Sequence, residues 1–364
     1  MISGSIRFAT CTPVAFHANE SFYTRDTGLI CREIRRLGHE CRVIMPLPAR
    51  EDDLPTGELL RTPMSNLYRT AWWRSQKLQA VVLYSWGDPR YTGIARAIRR
   101  AGLRLIIHFD SSGELHEHLQ RGGIINKLKD IAINALRRVH LEYAHAITTS
   151  RPCMKALARD PFYGPAIAAR CREFPGPVNS CFQCSNHTRQ PRIICTGSWQ
   201  LPVKRAGLMM QTLEACLCTH STAQADICGT LTPELQAWHA ALPAALQQRI
   251  HLHGQCSHQQ LNELCNAACV SLCTSESEGS HGASAEALSC GCSIVCPPRP
   301  LLRVVQWYTS RNSGTVATAD TAESLSAALL HELALWADGA RSAVQISTAW
   351  APCFQVSSLP RFLA

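Results

Sequence analysis

Long apolar runs are missing from this 364-residue chain, so no segment is predicted to span a membrane as a helix of about twenty residues. An export signal is missing too. The opening MISGSIRFATCTPVAF has one basic residue, Arg7, and no sustained apolar core, and it predicts a buried first strand instead. Charged residues make up only 17% of the chain and hydrophobic residues 46%, which excludes a disordered protein. We therefore expect a globular protein of the cytoplasm.

Nineteen cysteines are present, yet a disulfide framework is not expected in a long chain without an export signal. The sharpest alternative is a zinc site at Cys181 and Cys184 with His187 nearby, but no second ligand pair follows at a suitable spacing. Other cysteines, such as Cys195 and Cys228, lie in apolar runs, where a reduced thiol behaves as a small hydrophobic side chain. The sequence therefore predicts structural, reduced cysteines and no metal.

Basic charge is concentrated in the first half of the chain. Residues 1–185 contain 26 Lys and Arg against 16 Asp and Glu, a net charge of +10, whereas residues 186–364 contain 10 against 11. This asymmetry indicates two domains with different partners, the first facing an anionic acceptor, a membrane surface or nucleic acid. No aromatic-and-basic recognition motif accompanies the charge, so nucleic acid is not expected as a partner.

Short β-rich runs alternate with helical patterns along the chain, which is typical of α/β domains with parallel sheets. The alternation breaks at Pro175–Pro177 and in the polar stretch 180–191, so we place domains at 1–185 and 186–345 and a tail at 346–364. The predicted strands are 6–11, 41–45, 80–85, 103–109, 146–150, 192–196, 225–229, 250–253, 270–274 and 293–296. The predicted helices are one after a polar loop at 26–28, ending near 37, and then 91–100, 124–143, 206–218, 231–246, 259–268 and 283–289.

The segment Thr274–Val295, TSESEGSHGASAEALSCGCSIV, carries the most informative pattern. A strand leads into a polar loop with Glu278, and a helix beginning near Gly282 places Glu286 about one turn in. Two carboxylates at this offset can accept hydrogen bonds from hydroxyl groups on different parts of one ligand. The small residues of the loop allow close backbone approach, and the start of the helix favours a diphosphate.

Followed by Gly291 and a further strand, Glu278 and Glu286 resemble the E-x7-E signature of retaining GT-B glycosyltransferases, especially family four. The likeness extends over most of the chain, to Pro175-Gly-Pro-Val-Asn179, His253-Gly254, Gly314-Thr-Val and Asp320. It implies a GT-B fold, in which two Rossmann-like doubly wound domains face each other across a cleft. It also implies a tail that crosses back to the first domain, with Trp350 and Phe354 as packing anchors.

The resemblance assigns roles to a donor site. Glu286 matches the carboxylate that binds the ribose hydroxyls of the nucleotide, and Glu278 matches the one that positions the donor sugar. Backbone N–H groups of Gly279, Ser280, His281 and Gly282 match the loop that meets the sugar and the phosphates. The family usually has an aromatic residue and glycine where this chain has Ser280-His281, so the resemblance does not imply which sugar is bound. The alternative for both glutamates is that they are solvated helix charges.

The diphosphate also needs cations. Lys204 lies where the family has its lysine, whereas Ser198 replaces the usual arginine. Arg205 can compensate for this loss, because a guanidinium can bind a phosphate through two hydrogen bonds at once. The alternative for Lys204 and Arg205 is that they are ordinary charged residues on the solvated surface. No Asp-x-Asp motif occurs, so a metal-bridged GT-A donor site lacks its ligands, and no cofactor is expected beside the nucleotide sugar.

On the acceptor side, Asp110 follows the strand LRLIIHF, where ligand-facing residues of such sheets lie. We expect Asp110 to orient or deprotonate the acceptor hydroxyl, with His108 as the second candidate. An aspartate here can equally be a turn former, and His108 can be a core residue. The loop Arg25–Gly28 resembles the first loop of the family, and Gly28 is expected near the donor phosphates.

The predicted helix 124–143 has Ile124, Leu128, Ile131, Ala135 and Val139 on one side and basic residues elsewhere. Contact with an anionic membrane is one interpretation of this pattern. Packing of the apolar side on a sheet is the other.

The leading functional prediction is a retaining, metal-independent transfer of a hexose from a nucleotide-diphosphate sugar to a glycan, lipid or small-molecule acceptor. Two alternatives stay open. One is a sugar-nucleotide epimerase on the same fold, although its own acid and base groups are not identifiable. The other is a non-catalytic protein that binds a sugar nucleotide, which Ser198 favours slightly.

Overall fold

The computed structural model describes residues 5–55, 57–112, 115–116, 122–185 and 188–363. The chain divides into two compact units, Met1–Pro177 with Gln355–Ala364, and Val178–Phe354. Each unit has its own sheet and its own hydrophobic core.

The first unit is built on a seven-stranded parallel sheet in the order β3-β2-β1-β4-β5-β6-β7. The strands are β1 (Arg7–Cys11), β2 (Glu40–Pro46), β3 (Leu59–Thr62), β4 (Ala80–Tyr84), β5 (Arg104–His108), β6 (Ala146–Thr149) and β7 (Cys171–Glu173). Its helices are α1 (Glu20–Tyr23), α2 (Asp26–Arg36), α3 (Met64–Leu67), α4 (Thr70–Ser75), α5 (Thr92–Arg100), α6 (Ile124–Glu142), α7 (Arg151–Arg159) and α8 (Gly164–Ala168). The chain order reverses between β1 and β4, and ligands of doubly wound sheets bind at such a switch point.

Continuous apolar runs explain the central strands of this sheet. All five residues of β4, AVVLY, are buried, as expected for a parallel strand covered on both faces. The predicted loop at 26–28 is wrong, because α2 already begins at Asp26 and Gly28 lies in its first turn. β3 and β7, at the two edges of the sheet, were not predicted because they are short and only partly buried.

The second unit is built on a six-stranded parallel sheet in the order β10-β9-β8-β11-β12-β13. The strands are β8 (Arg192–Gly197), β9 (Gln224–Gly229), β10 (Ile250–Gly254), β11 (Val270–Leu272), β12 (Ser293–Cys296) and β13 (Gly314–Val316). The helices are α9 (Ala206–Thr219), α10 (Pro233–Ala241), α11 (Ala244–Gln247), α12 (His258–Ala267), α13 (Gly282–Ser289), α14 (Arg303–Tyr308), α15 (Ala322–Ala337) and α16 (Ala343–Phe354). The single helix predicted at 231–246 is wrong, since Pro243 lacks an N–H and holds Leu242 extended between α10 and α11.

The chain returns from the second unit to the first after Phe354. Trp350 and Phe354 of α16 pack with Tyr308 inside the second unit, so they are not the anchors on the first domain that the resemblance implied. The four-residue spacing of these two side chains puts both on one face of α16. Val356 and Leu359, in the following 3₁₀ segment Val356–Leu363, are buried instead in the core of the first unit.

Three absences hold for the described parts of the chain. None of the nineteen cysteines, all of which lie in those parts, forms a disulfide. No cluster of three or more His, Cys, Asp or Glu side chains in them is placed to hold a metal ion, and His187 of the zinc alternative lies outside the described residues. None of the described helices combines the length and the apolar character needed to cross a bilayer.

Candidate active site

The centre of the candidate site is the loop between β11 and α13. The Thr274 hydroxyl donates a hydrogen bond to the Lys204 carbonyl at 2.9 Å, and the Glu276 N–H donates to the Val203 carbonyl at 2.7 Å. The Glu278 N–H donates to the Leu301 carbonyl at 3.0 Å. Backbone contacts therefore hold this loop against the segment after β8 and the segment after β12, both of which leave the carboxyl edge of the same sheet.

Lys204 and Glu278 form an ion pair at this edge. The Lys204 ammonium nitrogen lies 2.5 Å from Glu278 Oε1, and the two side chains are 19% and 14% exposed. Burial raises the pKa of Glu278, but the charges of His281 and Lys204 and a hydrogen bond from Ser275 outweigh it, so the net pKa is lowered. Glu278 is thus held as a carboxylate.

His281 is a second basic group beside the same carboxylate. Its Nε2 atom lies 3.9 Å from Glu278 Oε1, and its Nδ1 atom is hydrogen-bonded to Ser284 Oγ at 2.7 Å. Burial lowers the pKa of His281, yet the neighbouring Cys273 thiol and Glu278 together raise it above the usual value. The residue adopts a left-handed conformation, with φ of 46°, at the position where α13 begins. An L side chain at such a φ is held against its own preference by the surrounding contacts.

α13 presents its N-terminal turn to this cluster. Gly282 is exposed, and a Cβ atom added there would meet no other atom within 4 Å, so a ligand can approach the backbone. Glu286 lies four residues into the helix and is half-buried, with the loop carboxylate Glu278 before the helix. Tyr308 steadies the loop by donating a hydrogen bond to the Ser280 carbonyl at 2.7 Å.

A second network of alternating charges lies beside this cluster. Arg205 Nη1 is 2.7 Å from Asp320 Oδ1, and Arg299 contacts both Asp320 and Glu276. Arg299 was missed from the sequence, although its position just after β12, at the carboxyl end of a strand, is the signal that could have identified it. Lys204, Arg205 and Arg299 therefore supply three cations, each paired with a carboxylate that an incoming anion could replace.

The first unit places its own predicted residues around Tyr84, the last residue of β4. The His108 ring stacks on the Tyr84 ring with centroids 4.4 Å apart, and Asp110 lies two residues beyond the end of β5. His108 is completely buried, its Nδ1 atom is hydrogen-bonded to Thr148, and burial lowers its pKa to about 3. These observations favour the core alternative for His108, because a neutral, enclosed imidazole has no access to an acceptor.

Gly28 has a packing role in the same unit. A Cβ atom at this position would lie 2.5 Å from the Phe22 carbonyl oxygen, so only glycine allows α2 to contact α1 this closely. Gly28, His108 and Asp110 belong to the first unit, whereas Lys204, Glu278, His281 and Glu286 belong to the second.

Comparisons with known proteins show which family and which fold the chain is similar to. Residues 190–334 match the family model described as glycosyl transferases group 1. A glycosyltransferase from Rickettsia africae ESF-5 has a similar structure, with a TM-score of 0.67 and 12% identity over 99% of this chain and 98% of that chain. No curated protein sequence matches the chain significantly.

Two further solved structures are similar over nearly the whole chain. Sucrose-phosphate synthase from Thermosynechococcus elongatus has a TM-score of 0.62 and 15% identity, covering 98% of this chain and 99% of that chain. Anabaena HepE, solved in complex with UDP-glucose, has a TM-score of 0.61 and 13% identity, covering 98% of both chains. At these identities the likeness establishes the fold, which is GT-B as the sequence predicted.

Proposed function

We propose that this chain, of which residues 190–334 match the group 1 glycosyltransferase model, is a glycosyltransferase that transfers a hexose from a nucleotide-diphosphate sugar to an acceptor hydroxyl. The observation that carries the proposal is the ionised Glu278 held between Lys204 and His281, directly before the N-terminus of α13. A carboxylate in this position accepts hydrogen bonds from sugar hydroxyls, and the helix start and the cations receive the diphosphate. Glu286 receives the ribose hydroxyls.

Charge neutralisation without a metal is part of the proposal. Lys204, Arg205 and Arg299 lie around the loop, and Arg299 supplies the guanidinium that is missing at Ser198. Their present partners, Glu278 and Asp320, keep the cations oriented until the diphosphate binds. Fixed donors aimed at the phosphates stabilise the charge that develops as the sugar leaves.

Retention of the anomeric configuration is proposed from the resemblance. The bond from the sugar C1 to the diphosphate breaks, a bond from C1 to the acceptor oxygen forms on the same face, and the acceptor proton passes to the leaving phosphate. Asp110 is the residue proposed to orient the acceptor hydroxyl, because its side chain is only partly buried whereas His108 is enclosed. The acceptor is a glycan, a lipid or a small molecule, and the site of action is the cytoplasm.

Nucleotide sugars are expected to raise the melting temperature of the protein by about 2 to 5 °C at saturating concentration. A ligand at about 100 times its Kd stabilises the folded state by about 2.7 kcal/mol, and a donor that binds only the folded form has this effect. A thermal-shift screen of UDP, ADP and GDP sugars measures it. The Glu286→Gln variant should need about tenfold more donor for the same shift, because a charged acceptor of the ribose hydroxyls is lost.

Release of free sugar or formation of a glycoside from the best donor then separates the alternatives. Acceptor-dependent transfer is the expected result. Conversion of one nucleotide sugar into another without acceptor would identify an epimerase, and binding without turnover would identify a non-catalytic protein. Absence of a shift with every nucleotide sugar would contradict the proposed donor site.

Replacement of His281 by Gly is expected to raise the donor KM about tenfold while the melting temperature changes little. Glycine relieves about 1 kcal/mol of backbone strain at φ of 46°, which offsets the lost bond to Ser284, but the cation beside Glu278 disappears. In the wild-type protein, donor affinity should fall as pH rises through the raised pKa of His281, whose neighbours are Cys273, Glu278 and Lys204.

The matched control is His281→Asn, which tolerates the left-handed conformation and keeps a polar side chain without charge. It should show the same KM increase and the same loss of the pH-dependent step. Unchanged donor KM values in both variants between about pH 6 and pH 9 would show that the imidazolium does not act on the donor.

A further inference from the structure

Helix α6 carries its apolar side chains on the outside of the first unit. Six large apolar residues of this one helix are exposed: Ile124 (75%), Ile125 (67%), Leu128 (61%), Ile131 (46%), Leu136 (56%) and Val139 (42%). At 100° per residue, these six lie on one arc that covers about 140° of the helix circumference. The packing of this face on the sheet, one of the two interpretations of the sequence, is therefore wrong.

The opposite face of α6 is polar and buried. The Asp130 carboxylate is hydrogen-bonded to His116 Nδ1 at 2.6 Å, and the Tyr163 hydroxyl donates to Asn134 Oδ1 at 2.5 Å. The His140 ring is hydrogen-bonded to the Ser85 hydroxyl at 2.8 Å. Rotation of the helix to bury its apolar arc would break these bonds and leave polar groups without partners. These buried hydrogen bonds therefore fix α6 with its polar side facing the interior and its apolar side facing outward.

Cations border the exposed arc on both sides. Lys127 and Arg138 lie along one edge and Lys129 lies along the other, and all three are exposed. Arg138 is paired at 2.9 Å with Glu142, which falls within the arc at the last residue of the helix, whereas Asp130, the other acidic residue of the helix, lies on the buried face. The half of the chain that contains α6 also has a net charge of +10. Apart from the Arg138-paired Glu142 at its end, this surface is apolar in the centre and basic at its edges, and it complements anionic lipid headgroups above an apolar layer.

We propose that α6 binds the surface of an anionic membrane, lying parallel to it with the apolar arc among the upper acyl chains and the lysines among the headgroups. A second copy of this chain is a less favourable partner for this face, because packing two such faces together would bring their basic edges close and the like charges would repel. The inference concerns a surface of the first unit and holds independently of the donor and of the transfer reaction.

Vesicle flotation of the full chain tests the proposal. The wild-type protein should float with vesicles of phosphatidylglycerol and phosphatidylcholine at low salt, and binding should fall at least tenfold in 0.5 M NaCl or with phosphatidylcholine alone. The Lys127→Gln/Lys129→Gln variant should bind about 10-fold to 30-fold more weakly, since each lysine near an anionic surface contributes about 1 kcal/mol. The Ile125→Ser/Leu128→Ser variant should lose binding to both vesicle types.

Two matched controls remove equivalent side chains elsewhere. Lys155→Gln/Arg159→Gln removes two exposed charges from α7, and Leu201→Ser/Val344→Ser removes two exposed apolar side chains from the second unit. Both should float as the wild type does, and all variants should keep its circular dichroism spectrum and melting temperature because the changed side chains are exposed.

Three outcomes would overturn the proposal. The first is no flotation of the wild-type protein with phosphatidylglycerol vesicles at low salt. The second is flotation that the two α6 variants leave unchanged. The third is a wild-type dimer in light scattering that Ile125→Ser/Leu128→Ser converts to a monomer, which would assign the face to self-association.

Discussion

Replacing Glu278 by Gln is expected to lower kcat/KM for sugar transfer by about 100-fold to 1000-fold, the range for removing one preorganised electrostatic group from an active site. Glutamine keeps the shape of the side chain but cannot compensate the charges of Lys204 and His281, which lie 2.5 and 3.9 Å from the carboxylate. It is also a weaker acceptor for the sugar hydroxyls. Steady-state kinetics with the donor found in the thermal-shift screen measures the effect.

Glu276→Gln is the matched control for this prediction. Glu276 lies two residues earlier in the same loop, its side chain is 55% exposed, and it is paired with Arg299 rather than with Lys204. An exposed ion pair contributes little, so this variant should stay within about threefold of the wild type. If Glu278→Gln retained activity within about fivefold while folding normally, the carboxylate would have no part in the transfer.

Replacing Gly229 by Ala is expected to destabilise the second unit by about 3 kcal/mol or more. Gly229 ends β9 with φ of 113°, which L side chains rarely adopt, and a Cβ atom there would lie 1.8 Å from the Gly197 carbonyl oxygen. Gly197 ends β8 and begins the segment that leads to Lys204. The backbone must therefore shift near the segment that carries Lys204, one of the cations proposed to bind the donor. Urea unfolding measures the loss, and donor affinity should fall with it.

Gly207→Ala is the corresponding control, because Gly207 is exposed in the first turn of α9 and a Cβ atom there meets nothing within 4 Å. Alanine has the higher helix propensity, so this variant should be as stable as the wild type or up to about 1 kcal/mol more stable. A Gly229→Ala protein that unfolded at the wild-type urea concentration would contradict the close approach of β8 and β9.

Local pattern was enough to predict the architecture. Fully apolar runs such as Ala80–Tyr84 are strands in both the prediction and the structure, and the helix expected near Gly282 begins at that residue. These elements can be predicted because the signal is local. A run of apolar residues indicates a strand that is buried on both faces, and a change in the hydrophobic periodicity of neighbouring residues indicates the start of a helix. The errors occurred where a single residue competes with the pattern, as Pro243 does when it divides the helix expected at 231–246.

The candidate site was recoverable only in part. Lys204 and Glu278 were each predicted to face the donor, but their ion pair joins residues 74 positions apart, and Arg205 meets Asp320 across 115 positions. No local pattern encodes such pairs. Arg299 was overlooked for the same reason, since its significance depends on where β12 lies in the sheet order.

The amino-acid sequence by itself determined two parallel α/β domains and a loop with two glutamates before and within a helix, because short-range hydrophobic periodicity and residue spacing specify them. The tertiary structure alone decided which cations surround Glu278, why His281 accepts a left-handed backbone, and which side of α6 faces outward. The pattern of α6 shows an apolar side and a polar side but not which is buried. That choice depends on Ser85, His116 and Tyr163, which lie outside the helix and satisfy its polar face.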